Sequence, residues 1–503
     1  MSAWGKRTAA GIAWSSAAFI SGKAATFLAT LVLARILVPA EFGVVAGVLV
    51  FLSFIELGSD LGLKWAVVYE QEEGITPRVR GAMTTNLIVA TLIALGAMAL
   101  APPVADLLNA SGHDNLFRLI ALNVVITALG NIQDGILLRE MDFSRRTRAM
   151  ILRAIVRAIV SIGLAFAGFG AASLVVGFLA GTLAWTLALW VLVPLRPSLR
   201  IDPAAARAML GYGGAASLLQ VLTVIATRSD AIVIGHMLGV TALGLYAVAF
   251  RVPELIIENV SWNVSAVAFP ALARKRAEDP RGLADGTLAL LRWGSLWALP
   301  VAAGIAILAT PMTVVLFGPD WKPAAGVMAA IAIMSGLHAV VFPLGDTFKA
   351  LGRQRVLVAV SLVSLPLLVL SLVAAAPAGL LTVAWVRTGF AVAHCLVLLT
   401  LTAIAVGIGP GQVLRASAAG FTAAAGVAVG AGIAQAAWPE PDVLSLTGCC
   451  LCGAVWGLLF VRLFAPGRFE ELGGLVGSLA PRLRGEGYRS GGSDRVAMET
   501  RSR

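Results

Sequence analysis

Asp230 to Arg276 reads DAIVIGHMLGVTALGLYAVAFRVPELIIENVSWNVSAVAFPALARKR. Its middle is long and apolar enough to cross a bilayer, which takes about 20 residues as a helix. Arg251, Glu254 and Glu258 nevertheless lie inside it, beside Pro253. Spacings of three and four residues place these charges on one helical face. A charge in hydrocarbon costs at least about 2.5 kcal/mol on insertion scales, so such a face turns toward a polar cavity or a partner. The stretch therefore predicts a spanning helix that forms one wall of a charged cavity.

The rest of the chain supports that setting. Its 503 residues are 59% hydrophobic and 13% charged, with mean hydropathy +0.89. Too little polar surface is available to coat a water-soluble fold of this size. The apolar runs are long rather than alternating, which excludes an outer-membrane barrel. The expected class is an all-α polytopic membrane protein. Formal net charge is +11, and basic residues collect in cytoplasmic loops of such proteins. No compact basic domain is present, so nucleic-acid binding is not expected. Cys395, Cys449, Cys450 and Cys452 all lie in apolar runs and read as small packing residues. Neither a disulfide framework nor a metal site is expected. No cofactor motif such as GxxxxGK[ST] occurs, and no HExxH. The first apolar run holds Lys23 and is too long for a cleavable signal, so it is read as a spanning helix.

Fourteen spanning helices are expected, near 9–34, 40–68, 81–103, 116–138, 149–168, 171–193, 210–234, 242–268, 287–316, 324–348, 355–376, 379–406, 413–437 and 442–464. Lys and Arg test this map. With the N-terminus inside, basic residues such as Lys6, Arg7, Arg78, Arg80, Arg145, Arg148, Arg153, Arg274, Lys275 and Arg353 fall on the cytoplasmic side. Only Arg35, Arg118 and Lys322 fall at outside ends. Both termini are thus expected in the cytoplasm. The expected units are a six-helix lobe at 1–194, a linker at 195–209, a second lobe at 210–408, two further helices at 409–465 and a basic tail at 466–503.

The two lobes carry an internal repeat. Leu37-Val-Pro-Ala-Glu-Phe-Gly-Val-Val-Ala46 aligns without a gap on Leu238-Gly-Val-Thr-Ala-Leu-Gly-Leu-Tyr-Ala247, matching Leu37 to Leu238, Gly43 to Gly244 and Ala46 to Ala247. The stretches join helices 1 to 2 and 7 to 8. An even number of helices separates them, which predicts parallel halves related by an axis along the membrane normal.

These stretches carry a family likeness. ARILVPAEFGVVAGVLVFLSFIELGSDLGLKWAVV, from Ala34 to Val68, resembles the start of polysaccharide and lipopolysaccharide biosynthesis transporters. The stretches from Arg228 to Ile256 and from Ala268 to Arg276 resemble their second half. The chain is similar to the Wzx-like flippases of the WzxC and succinoglycan-transport type. They belong to the MOP superfamily, which also holds the lipid II flippase MurJ and the MATE exporters. The resemblance implies two six-helix lobes around a central cavity, with two more helices behind. It implies a substrate of oligosaccharide joined by pyrophosphate to undecaprenol, moved by alternating access across the bacterial inner membrane. A glycan polymerase and a chain-length regulator are the partners it would imply, besides membrane lipids.

Five cations lie within spanning segments: Lys23, Arg157, Arg228, Arg251 and Arg387. Arginine forks suit phosphate oxygens, and charge-assisted bonds are strong. The resemblance assigns Lys23 and Arg251 to the cavity. Lys23 could instead snorkel to the membrane surface, but it sits midway along its helix. Arg251 could serve only as a partner for Glu254. Arg228 and Arg387 are further cavity candidates, while Arg157 either joins them or belongs to the cytoplasmic cluster ending at Arg153. The embedded acids are Glu56, Asp60, Asp230, Glu254, Glu258 and Asp346. Glu56, Asp60 and Lys64 recur at four-residue spacing on one face of helix 2. Asp60, Glu258, Glu56 and Glu254 are the candidates for ion coupling; each could instead neutralise a nearby arginine. His338 and His394 read as core or interhelical bonding residues. Competing functions are a MATE-like exporter of small organic cations, which predicts an acid-dominated cavity, a membrane-embedded glycan enzyme, and a scaffold without transport.

Overall fold

Hydrocarbon offers no hydrogen-bond partners, so a spanning backbone must satisfy itself as a helix. The computed structural model follows that rule. It describes residues 22–59, 77–194, 203–278 and 282–465; Asp60, Lys64 and the 466–503 tail lie outside them. Twelve helical stretches among the described residues are long and apolar enough to span a bilayer, and Gly22–Ala34 is a shorter apolar helix.

Fourteen principal helices result among the described residues, because one of those stretches holds two. They are α1 (Gly22–Ala34), α2 (Pro39–Ser59), α3 (Pro77–Leu107), α4 (Asp114–Arg139), α5 (Phe143–Phe166), α6 (Ala171–Leu192), α7 (203–238) and α8 (240–278). There follow α9 (Gly282–Ile307), α10 (Ala325–Val341), α11 (Gln354–Ala375), α12 (Leu380–Val406), α13 (Pro410–Ala437) and α14 (Val443–Phe464). The break between α7 and α8 is Gly239, at φ 84° and ψ 175°. A side chain there would be strained, so glycine lets the chain turn with no loop. Gly239 lies within the second copy of the repeat.

Several details differ from the expected map, among them that α7 starts at 203 and α8 runs on to Glu278. Helix α5 begins at Phe143 rather than 149, because the Asp142 carboxylate accepts a hydrogen bond from the Arg145 N–H at 3.0 Å and caps it there. The 287–316 span is broken: α9 ends at Ile307, and a short helix, Ala309–Phe317, follows. The 324–348 span ends at Val341, and Pro343 starts a separate short helix, Leu344–Ala350.

The two lobes enclose a cavity. One apolar core joins α2, α3, α4 and α6 around Phe51, Phe117, Val124 and Val175. Another gathers α8, α9, α10 and α12 around Leu299, Met328, Ile331 and Val383. Behind them α13 packs on α9, where Gly420 lies directly against Ser295, and α14 packs on α13, where Gly426 and Gly430 lie under Phe460 and Trp456. Small residues of this kind let spanning helices approach closely. The outer surface is apolar: Val191, Ile404, Leu370 and Leu444 are all exposed. Water would penalise such a surface, whereas acyl chains match it.

At one end the lobes touch. The Cβ of an alanine at Gly43 would strike the Val240 carbonyl and the Gly244 nitrogen; one at Gly244 would strike the Pro39 carbonyl and the Gly43 nitrogen. In the repeat alignment residue 39 corresponds to 240 and 43 to 244. The contact is therefore reciprocal, as at a two-fold axis. Further bonds tie the same end. Trp321 Nε1, fully buried, donates to the Ala34 carbonyl at 2.8 Å. Arg35 donates to the Val315 carbonyl at 2.6 Å, and Asn109 Nδ2 to the carbonyls of Gly235 and His236 at 3.0 and 2.6 Å. His236 Nδ1 lies 2.8 Å from the Leu107 carbonyl and must be the donor there.

Candidate functional site: a charged cavity between the lobes

The cavity has a volume of about 1060 Å³. Lys23, Arg153, Arg157, Arg228, Arg251 and Arg387 contribute to its wall, with Glu56, Asp230, Glu254 and Glu258 among them. Every substrate-binding candidate from the sequence thus lies on one surface, as do the coupling candidates Glu56, Glu254 and Glu258. Asp60 falls outside the described residues. Asp346, read as an embedded acid, is elsewhere: it is 1% exposed, bonds Lys349 Nζ at 2.8 Å and accepts the Ser265 hydroxyl.

Helix α8 supplies the C-terminal wall. After Pro253, residues Glu254–Glu258 form a π-turn, in which the backbone N–H of Asn259 bonds the Glu254 carbonyl. The Asn259 side chain donates to the same carbonyl at 2.8 Å. Such a turn holds one residue more than an α-turn and recurs at functional positions. Arg251 bonds Glu254 at 3.3 Å, and Lys23 of α1 approaches the other oxygen of that carboxylate at 3.8 Å. One acid therefore sits between two cations on opposite sides of the cavity. Both pairs are partly exposed, so water weakens them. Arg251 Nε is buried and has no hydrogen-bond partner.

Deeper in the same lobe Tyr246 donates to Asp230 at 2.6 Å, and Arg387 of α12 approaches Asp230 at 3.7 Å. Arg387 Nε also lacks a hydrogen-bond partner. Glu258 lies 3.3 Å from His338 Nδ1 on α10, and His394 on α12 lines the same wall. His338 is thus an interhelical bonding residue that also faces the cavity. Arg228 lines the cavity too, exposed and without an acidic partner among the described residues.

The N-terminal wall is α2 and α5. Asn123 donates to Glu56 at 3.1 Å. Arg153 donates to the Thr182 hydroxyl at 3.3 Å and lies 5.7 Å from the rings of both Phe178 and Trp185. Arg157 lies 4.8 Å from the Phe178 ring. Helix α6 can approach α5 because Gly181 lies under Arg157 and the Arg153 carbonyl. Arg153 corrects the sequence reading, which left it in the cytoplasmic cluster. The missed signal is spacing: Arg146, Arg153 and Arg157 are seven and four residues apart, on one face of α5, and Arg146 turns inward to the buried Asp134 at 2.6 Å.

Fold and site together define a two-lobed, all-helical membrane protein with a charged central cavity. Its architecture is that of the solved lipid II flippase MurJ in an inward closed conformation, with TM-score 0.71 at 14% identity over 90% of this chain and 99% of that one. An inward-facing multidrug MATE transporter of the MOP superfamily gives TM-score 0.62 at 18% identity over 76% of this chain and 94% of that one. Residues 32–326 match the family model described as polysaccharide biosynthesis protein, and the chain belongs to that family. The succinoglycan biosynthesis transport protein ExoT of Rhizobium meliloti (strain 1021) is 28% identical over 66% of this chain and 67% of its own length. The lipopolysaccharide biosynthesis protein WzxC of Escherichia coli (strain K12) is 22% identical over 69% of this chain and 71% of its own.

Proposed function

We propose that the protein flips an undecaprenyl-pyrophosphate-linked oligosaccharide across the bacterial inner membrane, by alternating access, for polysaccharide assembly. The observation that carries this reading is the cavity itself, where six cations face four acids across two lobes. A pyrophosphate leaving water needs cationic hydrogen-bond donors in its place. An apolar belt beside the cavity suits a prenyl tail that stays in the bilayer. Relatives named as succinoglycan and lipopolysaccharide biosynthesis proteins support the same substrate class. The protein acts as a transporter without covalent chemistry. The lobes are 1–194 and 210–408, joined by 195–209, with 409–465 appended and 466–503 as a cytoplasmic tail. The basic-residue pattern puts both termini in the cytoplasm, and the tied end of the lobes outside. The cavity then faces inward, toward newly made substrate. A polymerase and a chain-length regulator would act on the product.

Lys23, Arg251, Arg228 and Arg387 bind the headgroup in this reading. Asp60, Glu258, Glu56 and Glu254 are the positions for ion coupling, and Glu258 has a titratable neighbour in His338. The test is export of surface polysaccharide in a strain whose only copy carries Lys23→Ala with Arg251→Ala. Loss of export with the protein still in the membrane supports the proposal; full export refutes the cavity assignment. A MATE-like exporter of small molecules is the second reading, favoured by the structural likeness to that group. It requires drug efflux in the same strain, with surface polysaccharide unaffected.

A further inference from the structure

The cavity cations are not equivalent. Lys23 and Arg251 share Glu254, and Arg387 lies beside Asp230. Arg157 differs from them. It lines the cavity against the Phe178 ring and has no acidic partner among the described residues. Its charged neighbours are of like sign: Arg251 from the opposite lobe and Arg153 one turn away on α5. Three guanidinium groups from two lobes thus converge on one region, while the Nε of Arg251 is buried without a hydrogen-bond partner. Like charges in a partly dry cavity repel strongly unless an anion lies between them.

We infer that Arg157 is the primary phosphate anchor, and that Glu254 is a resident carboxylate which the substrate's phosphate displaces from Arg251. This rests on the transport reading above and specifies its order of events. The headgroup first meets Arg157, whose stacking on Phe178 holds its fork in place without neutralising it. It then reaches across to Arg251. Arg251 exchanges the Glu254 carboxylate for phosphate, and the two lobes become bridged through the ligand. Glu254 keeps Lys23 of α1 as its partner. The empty cavity is thereby held partly neutral by its own acid, and the loaded one by the substrate. Glu254 competes with the headgroup and also limits how tightly the headgroup is held, which aids release.

The test uses the full chain purified in lipid nanodiscs, with farnesyl diphosphate as probe and farnesol and tetraphenylphosphonium as controls, read by calorimetry. The wild type binds the diphosphate and not the alcohol. Arg157→Gln weakens that binding about tenfold or more, the scale of one lost charge-assisted bond. Arg157→Lys, which keeps the charge and loses the fork, falls between the two. Glu254→Gln tightens binding about three- to tenfold, because the competing charge is gone. Arg157→Lys binding as tightly as wild type, or Glu254→Gln binding more weakly, overturns the inference. These two variants retain size and polarity, so they decide the matter even if Arg157→Gln unfolds. A wild type that takes tetraphenylphosphonium and ignores the diphosphate overturns the transport reading instead.

Discussion

Replacing Gly43 by alanine probes the tied end of the lobes with a single methyl group. That methyl would occupy the space of the Val240 carbonyl and crowd the Gly244 nitrogen. Both obstacles are backbone, so no side-chain rotation relieves the clash. Overpacking of this sort typically costs about 1–3 kcal/mol. The cost falls on the state in which the lobes touch here. If the opposite state lacks the contact, the equilibrium moves toward it by a factor of about 5–150. The assay places spin labels at Val38 and Thr241, both exposed near the contact, in a background without Cys395, Cys449, Cys450 and Cys452. Double electron–electron resonance should show a longer-distance population in Gly43→Ala than in wild type, and transport should fall. Gly244→Ala should act alike, since its methyl meets Pro39 and Gly43 in the mirror arrangement. The double variant should cost less than the sum, because both methyls break one contact. An unchanged distance distribution with normal transport would refute the reasoning.

Two further outcomes follow from pairs on other helices. Arg146→Met removes the two guanidinium bonds, at 2.6 and 3.3 Å, that Asp134, 1% exposed, accepts from that arginine. Removing one partner of a buried charge pair costs up to roughly 3–5 kcal/mol, so the thermal unfolding midpoint should drop; an unaltered midpoint refutes the assignment of that pair to stability. Glu258→Gln removes the carboxylate facing His338 at 3.3 Å. In reconstituted vesicles it should abolish the response of transport to a proton gradient while substrate binding persists. A response equal to wild type removes Glu258 from the coupling candidates.

The helix count and the repeat were legible because both are local or periodic properties. Apolar length alone marks a span, and Gly43 and Gly244 lie at equivalent places in aligned stretches. What alignment could not supply is that the two copies meet each other; that depends on how the lobes pack. Lys23 and Arg251 were legible as charges set well inside apolar runs. Arg153 was not, since a basic residue near a helix start looks like a cytoplasmic anchor until the capping Asp142 extends the helix. The pairing of Glu258 with His338 was also hidden. Eighty residues separate them, and only the packing of α8 on α10 joins them.

The π-turn at Glu254–Glu258 has a consequence for chain length. Each helical residue adds about 100° of rotation. Helix α8 carries one residue that a plain α-helix would omit, and the wide turn absorbs it, so later side chains keep the direction an unbroken α-helix would give them. Trp262 lies one turn beyond it, on the cavity wall and 5.0 Å from the Phe342 ring. A chain shortened by one residue within 254–258 could still span the bilayer and keep Arg251 in place. With the turn relaxed to a plain α-turn, its distal half would keep its direction and Trp262 would still face the cavity. A one-residue deletion elsewhere in α8 has no wide turn to draw on, and would swing the wall beyond it by about 100°.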